Sequence, residues 1–145
     1  TILRLAQHPN IIGVKEASGS LPQVMDIIAE MPPSFSLLSG DDNLTLPIMA
    51  LGGVGVISVA SNLIPKKMLE MVNAALSGDI AKAKDIHYSL LPIFKIIFID
   101  TNPVPIKYAL SLTGAIEESY RLPLCPMEEG AKAKLRDTLK RAGVL

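Results

Sequence analysis

The chain has 145 residues, of which 49% are hydrophobic and 19% charged, and this composition predicts a folded globular chain rather than a disordered segment. Its 14 Lys and Arg residues balance 14 Asp and Glu residues, so charge predicts no nucleic-acid or membrane-surface partner. No apolar run reaches the roughly 18 residues that would predict a membrane-spanning helix.

Cys125 is the only cysteine, and the two histidines, His8 and His87, lie far apart in the sequence. This pattern predicts no internal disulfide, no zinc site and no bound cofactor. A lone thiol suits a reducing compartment, so we expect a cytoplasmic protein. We interpret Cys125 as a small apolar residue and both histidines as surface or packing residues.

The first half of the chain predicts three β-strands in a parallel arrangement. The segment Thr1–Ala6 is helix-like but has neither an initiator Met nor an N-cap, so we expect the chain to belong to a longer polypeptide. Short aliphatic runs bounded by Gly, Pro, Asn or Asp then predict strands at Ile11–Lys15, Phe35–Ser39 and Val54–Ala60.

Helical patterns separate these strands and then take over. The spacing predicts helices over Leu21–Met31, Leu44–Leu51 and Pro65–Leu76, so the first part indicates consecutive βα units. After Gly78 no further strand is predicted, which favours a boundary there. The predicted helices of this second part run from an Asp79 cap to about Phe98, from a proline at position 103 after an Asn102 cap, and from Pro126 to about Ala142.

Lys15 is the residue with the strongest chemical potential. It ends a predicted parallel strand, where α/β barrels build their active sites, and Gly13 on the same face leaves room for a small ligand. Desolvation there disfavours an ammonium group, and the neutral amine is a nucleophile that forms an imine with a ketone. The alternative is that Lys15 extends into solvent or pairs with Glu16 or an aspartate.

Two other patterns have structural interpretations. Asp41 and Asp42 could form a carboxylate pair for acid/base chemistry, but an aspartate between strand and helix more often caps the helix, which we favour for Asp42. The glycine-rich segment Gly52–Gly55 lacks the residues of a nucleotide-binding loop. We interpret it as a helix stop followed by a tight entry into the next strand.

Several segments together resemble the dihydrodipicolinate synthase family, within the pyruvate-dependent class I aldolase superfamily. The resemblance rests on GVKEASG at 13–19, LSGDD at 38–42, GGVGVISVASN at 52–62, NPVPIK at 102–107 and RLPL at 121–124. It implies the last three strands of a (β/α)8 barrel in residues 1–78 and a helical carboxyl-terminal domain in residues 79–145.

The resemblance also implies residue roles and partners. Lys15 matches the Schiff-base lysine, which condenses with pyruvate before the enamine attacks aspartate semialdehyde in lysine and diaminopimelate biosynthesis. Gly40 and Asp41 match residues lining the pyruvate site, and Ile57 matches the residue whose main-chain carbonyl lies beside the lysine. The implied partners are an amino-terminal half-barrel, which carries the proton-relay residues, and further copies in a homotetramer.

Two alternatives remain beside this hypothesis. One is a sister lyase with the same lysine, acting on N-acetylneuraminate or on a 2-keto-3-deoxy sugar acid. The other is a non-catalytic half-barrel that self-associates, because three βα units cannot close a barrel and leave two strand edges unpaired.

Overall fold

The structure is a computed structural model that describes residues 1–145. Three parallel strands form one sheet in the order β1-β2-β3, with residues Gly13–Glu16, Ser36–Ser39 and Gly55–Val56. In the register of the sheet, Lys15 lies opposite Leu38, and Leu38 lies opposite Gly55. The helices are α1 (Ile2–Leu5), α2 (Leu21–Glu30), α3 (Thr45–Ala50), α4 (Pro65–Leu76), α5 (Ile80–Ile96), α6 (Val104–Leu112) and α7 (Glu129–Arg141).

The predicted order of strands and helices is confirmed, but all three strands are shorter than predicted, β2 by one residue at its start. β1 begins at Gly13 rather than Ile11, and Ile12 is 77% exposed. β3 ends at Val56, because the following residues turn into a 3-10 helix at Ala60–Asn62 instead of continuing the strand to Ala60. Gly52 ends the α3 segment with φ +117°, a conformation that favours glycine, as predicted for the helix stop.

The predicted helix starts are confirmed for α4 and α5 and are wrong by one to three residues for the last two. The Asp79 side chain accepts a hydrogen bond from the Lys82 N–H at 3.0 Å and caps α5. α6 begins at Val104, with residue 103 rather than Asn102 as its N-cap. α7 begins at Glu129 rather than Pro126, because the segment before it places Met127 in the helical core. None of the helices combines the length and apolar character needed to cross a membrane.

Two apolar clusters stabilise the fold. A small one, between the sheet and its covering helices, contains Val24, Ile27, Leu37 and Ile48. A larger one of 14 buried residues joins the helices that follow the sheet, and it includes Met68 and Met71 of α4 together with Leu135 and Leu139 of α7. The large cluster therefore extends across residue 78, where the domain boundary stays a prediction.

The sheet has two open edges. β2 pairs with both neighbours, whereas β1 and β3 each pair only with β2. Unpaired edges of parallel strands are normally covered in folded proteins, since parallel sheets are buried structures. Both edges of the sheet thus present unpaired backbone groups, to which further strands can add.

The second part of the fold contains a buried histidine whose protonation should affect stability. His87 packs against the rings of Tyr88 and Phe94 at centroid distances of 5.4 and 5.8 Å, and its Nδ1 has no hydrogen-bond partner. Burial lowers the pKa of His87 below its ordinary value of 6.5. The unfolded chain therefore binds more protons than the folded chain as the pH falls below about 6.5.

We expect the free energy of unfolding to decrease as the pH falls from about 7 through 6.5 towards the folded-state pKa of His87. In the variant His87→Gln residue 87 cannot bind a proton in this range, so the free energy of unfolding should change less with pH. Urea unfolding of both proteins between about pH 7.5 and 5.5 measures the difference. Equal slopes for the two proteins would contradict this expectation.

Candidate functional site

Lys15 lies near the carboxyl end of β1 and is exposed. Its neighbour Val14 points to the other face of the sheet, where it packs against the small apolar cluster. This alternation confirms the prediction that Lys15 and Val14 lie on opposite faces of the sheet. The side chain therefore lies on the face that the described residues leave uncovered.

Glu16, the next residue, belongs to the opposite face and is 4% exposed. Its Oε1 accepts hydrogen bonds from the Ser18 N–H at 3.0 Å and from Gln23 Nε2 at 2.8 Å. No carboxylate lies within ion-pair distance of Lys15 Nζ. The alternative interpretation of Lys15 as the partner of Glu16 is therefore not supported by the geometry.

Gly40 lies directly against the lysine side chain. A Cβ added at Gly40 would overlap the Cβ of Ala17 and would lie 3.0 Å from the Glu16 carbonyl oxygen and 3.1 Å from Lys15 Cε. The Gly40 N–H also donates a hydrogen bond to that carbonyl oxygen at 2.6 Å. Only a residue without a side chain permits this approach, so Gly40 helps to define the space around Lys15.

Asp41 follows Gly40 and has a backbone that is held from two sides. Its N–H donates to Ser39 Oγ at 3.1 Å, and its carbonyl oxygen accepts from Ser39 Oγ at 2.7 Å and from Thr45 Oγ1 at 3.2 Å. Burial and the nearby carboxylates of Glu16 and Asp42 raise the pKa of Asp41, while the positive charge of Lys15 opposes this shift. Asp41 thus belongs to the same electrostatic cluster as the lysine.

Ile57 lies just after β3, with its side chain 49% exposed. Its N–H donates to the Ser39 carbonyl oxygen at 2.9 Å, which holds the residue beside the end of β2. Its own carbonyl oxygen accepts no hydrogen bond from the chain and is available to another donor. The ends of the three strands therefore bring together the segments that contain Lys15, Gly40, Asp41 and Ile57.

The prediction that Asp42 caps the following helix is wrong. Asp42 does not cap α3; its carboxylate instead accepts hydrogen bonds from Ser58 Oγ, from the Val59 N–H at 3.2 Å and from the Ala60 N–H at 3.0 Å. It caps the turn that follows β3. Sequence reasoning missed this connection, because the partners of Asp42 lie 16 to 18 residues further along the chain. It also missed the double contact of Ser39 with Asp41, for which a serine two residues before an aspartate at a strand end was the local signal.

Cys125 is also corrected, since it is exposed rather than packed as a small apolar residue. It lies between α6 and α7, in the segment that places Met127 in the core. The contacts of that segment are made by its neighbours, so the thiol is left at the surface.

Known proteins match the chain over nearly its whole length. The sequence model of the dihydrodipicolinate synthetase family matches residues 1–142. The chain belongs to this family. The 4-hydroxy-tetrahydrodipicolinate synthase of Koribacter versatilis is 56% identical over 145 residues, which are the whole chain and 48% of that protein.

Solved structures of family members agree with the fold. Dihydrodipicolinate synthase from Aquifex aeolicus superposes with a TM-score of 0.96 at 44% identity, over 99% of this chain and 49% of that one. The chloride-inhibited enzyme from Acinetobacter baumannii, complexed with pyruvate, superposes with a TM-score of 0.94 at 38% identity, over 99% and 49%. The chain therefore spans about half the length of its relatives, which confirms the prediction of part of a TIM barrel with added helices.

Proposed function

We propose that this chain carries the imine-forming half of a dihydrodipicolinate synthase, which condenses pyruvate with aspartate semialdehyde in lysine and diaminopimelate biosynthesis. The observation that carries the proposal is the position of Lys15 at the carboxyl end of β1, against Gly40 and without a carboxylate partner. Family membership supports it, and the relative from Acinetobacter baumannii is complexed with pyruvate. The enzyme is a lyase of the class I aldolase type, and the lone free thiol Cys125 suits the cytoplasm.

The chemistry assigned to Lys15 is nucleophilic catalysis. The neutral amine attacks the ketone carbon of pyruvate, and loss of water from the adduct leaves an imine between Nζ and that carbon. Loss of a proton from the pyruvate methyl group gives an enamine, whose carbon attacks the aldehyde of aspartate semialdehyde. The aldehyde oxygen takes up a proton, and the imine to Lys15 forms again. Water then releases the product and restores the amine of Lys15, so no redox step and no cofactor enter the proposal.

The other site residues are assigned to binding. Gly40 allows the chain after β2 to pass close to Lys15, because a side chain there would collide with Ala17 and crowd Lys15 Cε. Asp41 carries a carboxyl group close to the lysine and contributes to the polarity of the site. The unpaired carbonyl oxygen of Ile57 is a hydrogen-bond acceptor for a proton on Lys15 Nζ or on the carbinolamine formed there.

The proposal includes a protein partner that completes the barrel. Lys15 is exposed in this chain, so the water exclusion that favours a neutral amine must come from additional structure. The open edges of β1 and β3 provide the pairing positions for the strands of an amino-terminal half-barrel. In the assembled enzyme we expect the homotetramer implied by the family resemblance.

The open edges lead to an expectation about the chain without that partner. Purified alone at micromolar concentration, it should form dimers or larger assemblies, because the uncovered sheet exposes backbone groups and apolar side chains such as Ile57 and Val54. Light scattering measures the size. A compact monomer of 15.5 kDa that remains monodisperse would contradict this expectation.

The function itself is tested by adding the complementary half. The chain is combined with the amino-terminal half of the Koribacter versatilis relative and assayed for consumption of pyruvate with aspartate semialdehyde. We expect turnover by the pair and a rate lower by at least about 10²-fold for the chain alone, which lacks the partner's acid/base groups.

The same preparation is offered N-acetylneuraminate and 2-keto-3-deoxy sugar acids in separate reactions. Cleavage of one of these without condensation of aspartate semialdehyde would overturn the proposed substrate and favour the sister lyase. If neither the pair nor the chain alone turns over any of these substrates, the non-catalytic half-barrel is favoured.

A further inference from the structure

The buried carboxylate of Asp42 joins two strand ends that are far apart in sequence. Asp42 is 1% exposed and follows β2, whereas its partners Ser58, Val59 and Ala60 follow β3. Oδ1 accepts from the Ser58 hydroxyl, and Oδ2 accepts from the two backbone N–H groups. No cation is paired with this carboxylate, so these three donors are what compensate its burial.

The turn after β3 is fixed through the same network. Ser58 Oγ donates to Asp42 and accepts from the Ser61 N–H at 2.8 Å, while Ser61 Oγ donates to the Ser58 carbonyl oxygen at 3.1 Å. Ile57 immediately precedes this turn, and its N–H is bonded to the Ser39 carbonyl oxygen. The peptide between Ile57 and Ser58 is therefore held by β2 on one side and by Asp42 on the other.

The other end of the connection leads to the lysine. Asp42 is two residues from Gly40, where an added Cβ would lie 3.1 Å from Lys15 Cε, and one residue from Asp41. Movement of the Asp42 carboxylate would change the spacing between the segment that contacts Lys15 and the segment that presents the Ile57 carbonyl oxygen. Catalytic groups need placement to within about 0.5 Å, which is achieved when their supports are themselves hydrogen-bonded.

We propose that Asp42 is a positioning residue, which fixes the Ile57 carbonyl oxygen relative to Lys15 through its bonds to Ser58, Val59 and Ala60. This inference rests on the proposed function, because it assigns Asp42 a part in imine chemistry at Lys15. It differs from a purely structural cap in one respect. A cap affects how much protein is folded, whereas a positioning residue affects the rate of each folded active site.

The test uses the chain assembled with its amino-terminal half and the variants Asp42→Asn and Ser58→Ala. The first exchange keeps an acceptor for the backbone N–H groups but loses the charge, and the second removes only the hydroxyl donor. We expect kcat per folded site to fall about 10- to 10²-fold in Asp42→Asn and by a smaller factor in Ser58→Ala. Circular dichroism measures the folded fraction of each variant at the assay temperature, and kcat is divided by that fraction.

The matched control is Asp79→Asn, which removes the charge of another capping aspartate, at the start of α5. It should lower stability and leave kcat per folded site unchanged. If kcat per folded site in Asp42→Asn and Ser58→Ala stays within twofold of the unaltered assembly, the positioning role is overturned. If the unaltered assembly forms no imine with pyruvate, the proposed function fails and this inference fails with it. Imine formation without an effect of either variant would overturn this inference alone.

Discussion

Replacement of Lys15 by Ala or Arg is expected to abolish condensation by the assembled enzyme, with a loss of about 10⁴-fold or more in kcat. Alanine has no amine, and the guanidinium of arginine stays protonated and cannot attack a ketone. Arginine also retains the positive charge next to Asp41, so it separates the effect of nucleophilicity from that of charge. A coupled assay at saturating pyruvate measures the loss.

Lys66→Arg provides the matched control for this experiment. Lys66 is exposed on α4 and should tolerate the exchange without loss of activity. Activity of Lys15→Arg within tenfold of the unaltered assembly would show that another group performs the nucleophilic step.

Substitution of Gly40 by Ala is expected to give the second large effect. The new Cβ would overlap the Cβ of Ala17 and crowd Lys15 Cε at 3.1 Å, so either the β2 turn or the lysine must move. Overpacking of this kind costs about 1–3 kcal/mol of stability, and a displacement of about 1 Å at a catalytic group costs about 10²-fold in rate. We therefore expect both a lower unfolding midpoint and a lower kcat.

Gly130→Ala serves as the comparison, because a Cβ at Gly130 of α7 meets no atom within 4 Å and alanine favours helix. This variant should be as stable as the unaltered chain or slightly more stable, with full activity. If Gly40→Ala behaved like Gly130→Ala, the close packing of Gly40 against Lys15 would have no functional role.

The parts of the fold that follow local rules were predictable from the sequence. Pro65 at a helix start, Asp79 as a cap and Gly52 as a stop each act through neighbouring backbone atoms, and their elements were placed within a residue or two. The position of Lys15 at a strand end was predictable for the same reason, since alternation along β1 requires no knowledge of distant residues.

The errors arise where distant contacts override local preference. Residues after Val56 have strand-like side chains, yet the Asp42 carboxylate binds the Val59 and Ala60 N–H groups and turns the chain into a 3-10 helix. Pro126 is a good helix start, but Met127 is buried in the large cluster and α7 begins only after Glu128, whose backbone is extended. Asp42 lies 17 and 18 residues before the N–H groups that it binds, so no window of local pattern around β3 contains that information.

The exposed state of Lys15 links the chain's fold to its proposed chemistry. Removal of water favours the neutral, nucleophilic form of an amine, and the described residues provide no cover on the face of the sheet that carries Lys15. Completion of the barrel would at once pair the open strand edges and remove water from the lysine. Assembly and activation of the nucleophile are therefore expected to occur together.

The most direct measurement of the imine-forming role is reductive trapping with pyruvate and borohydride, followed by peptide mapping of the assembled enzyme. We predict one reduced pyruvate adduct per copy of this chain, on the peptide that contains Lys15, and none in the Lys15→Arg variant. An adduct on a different lysine, or condensation activity with no adduct on Lys15, would contradict the account.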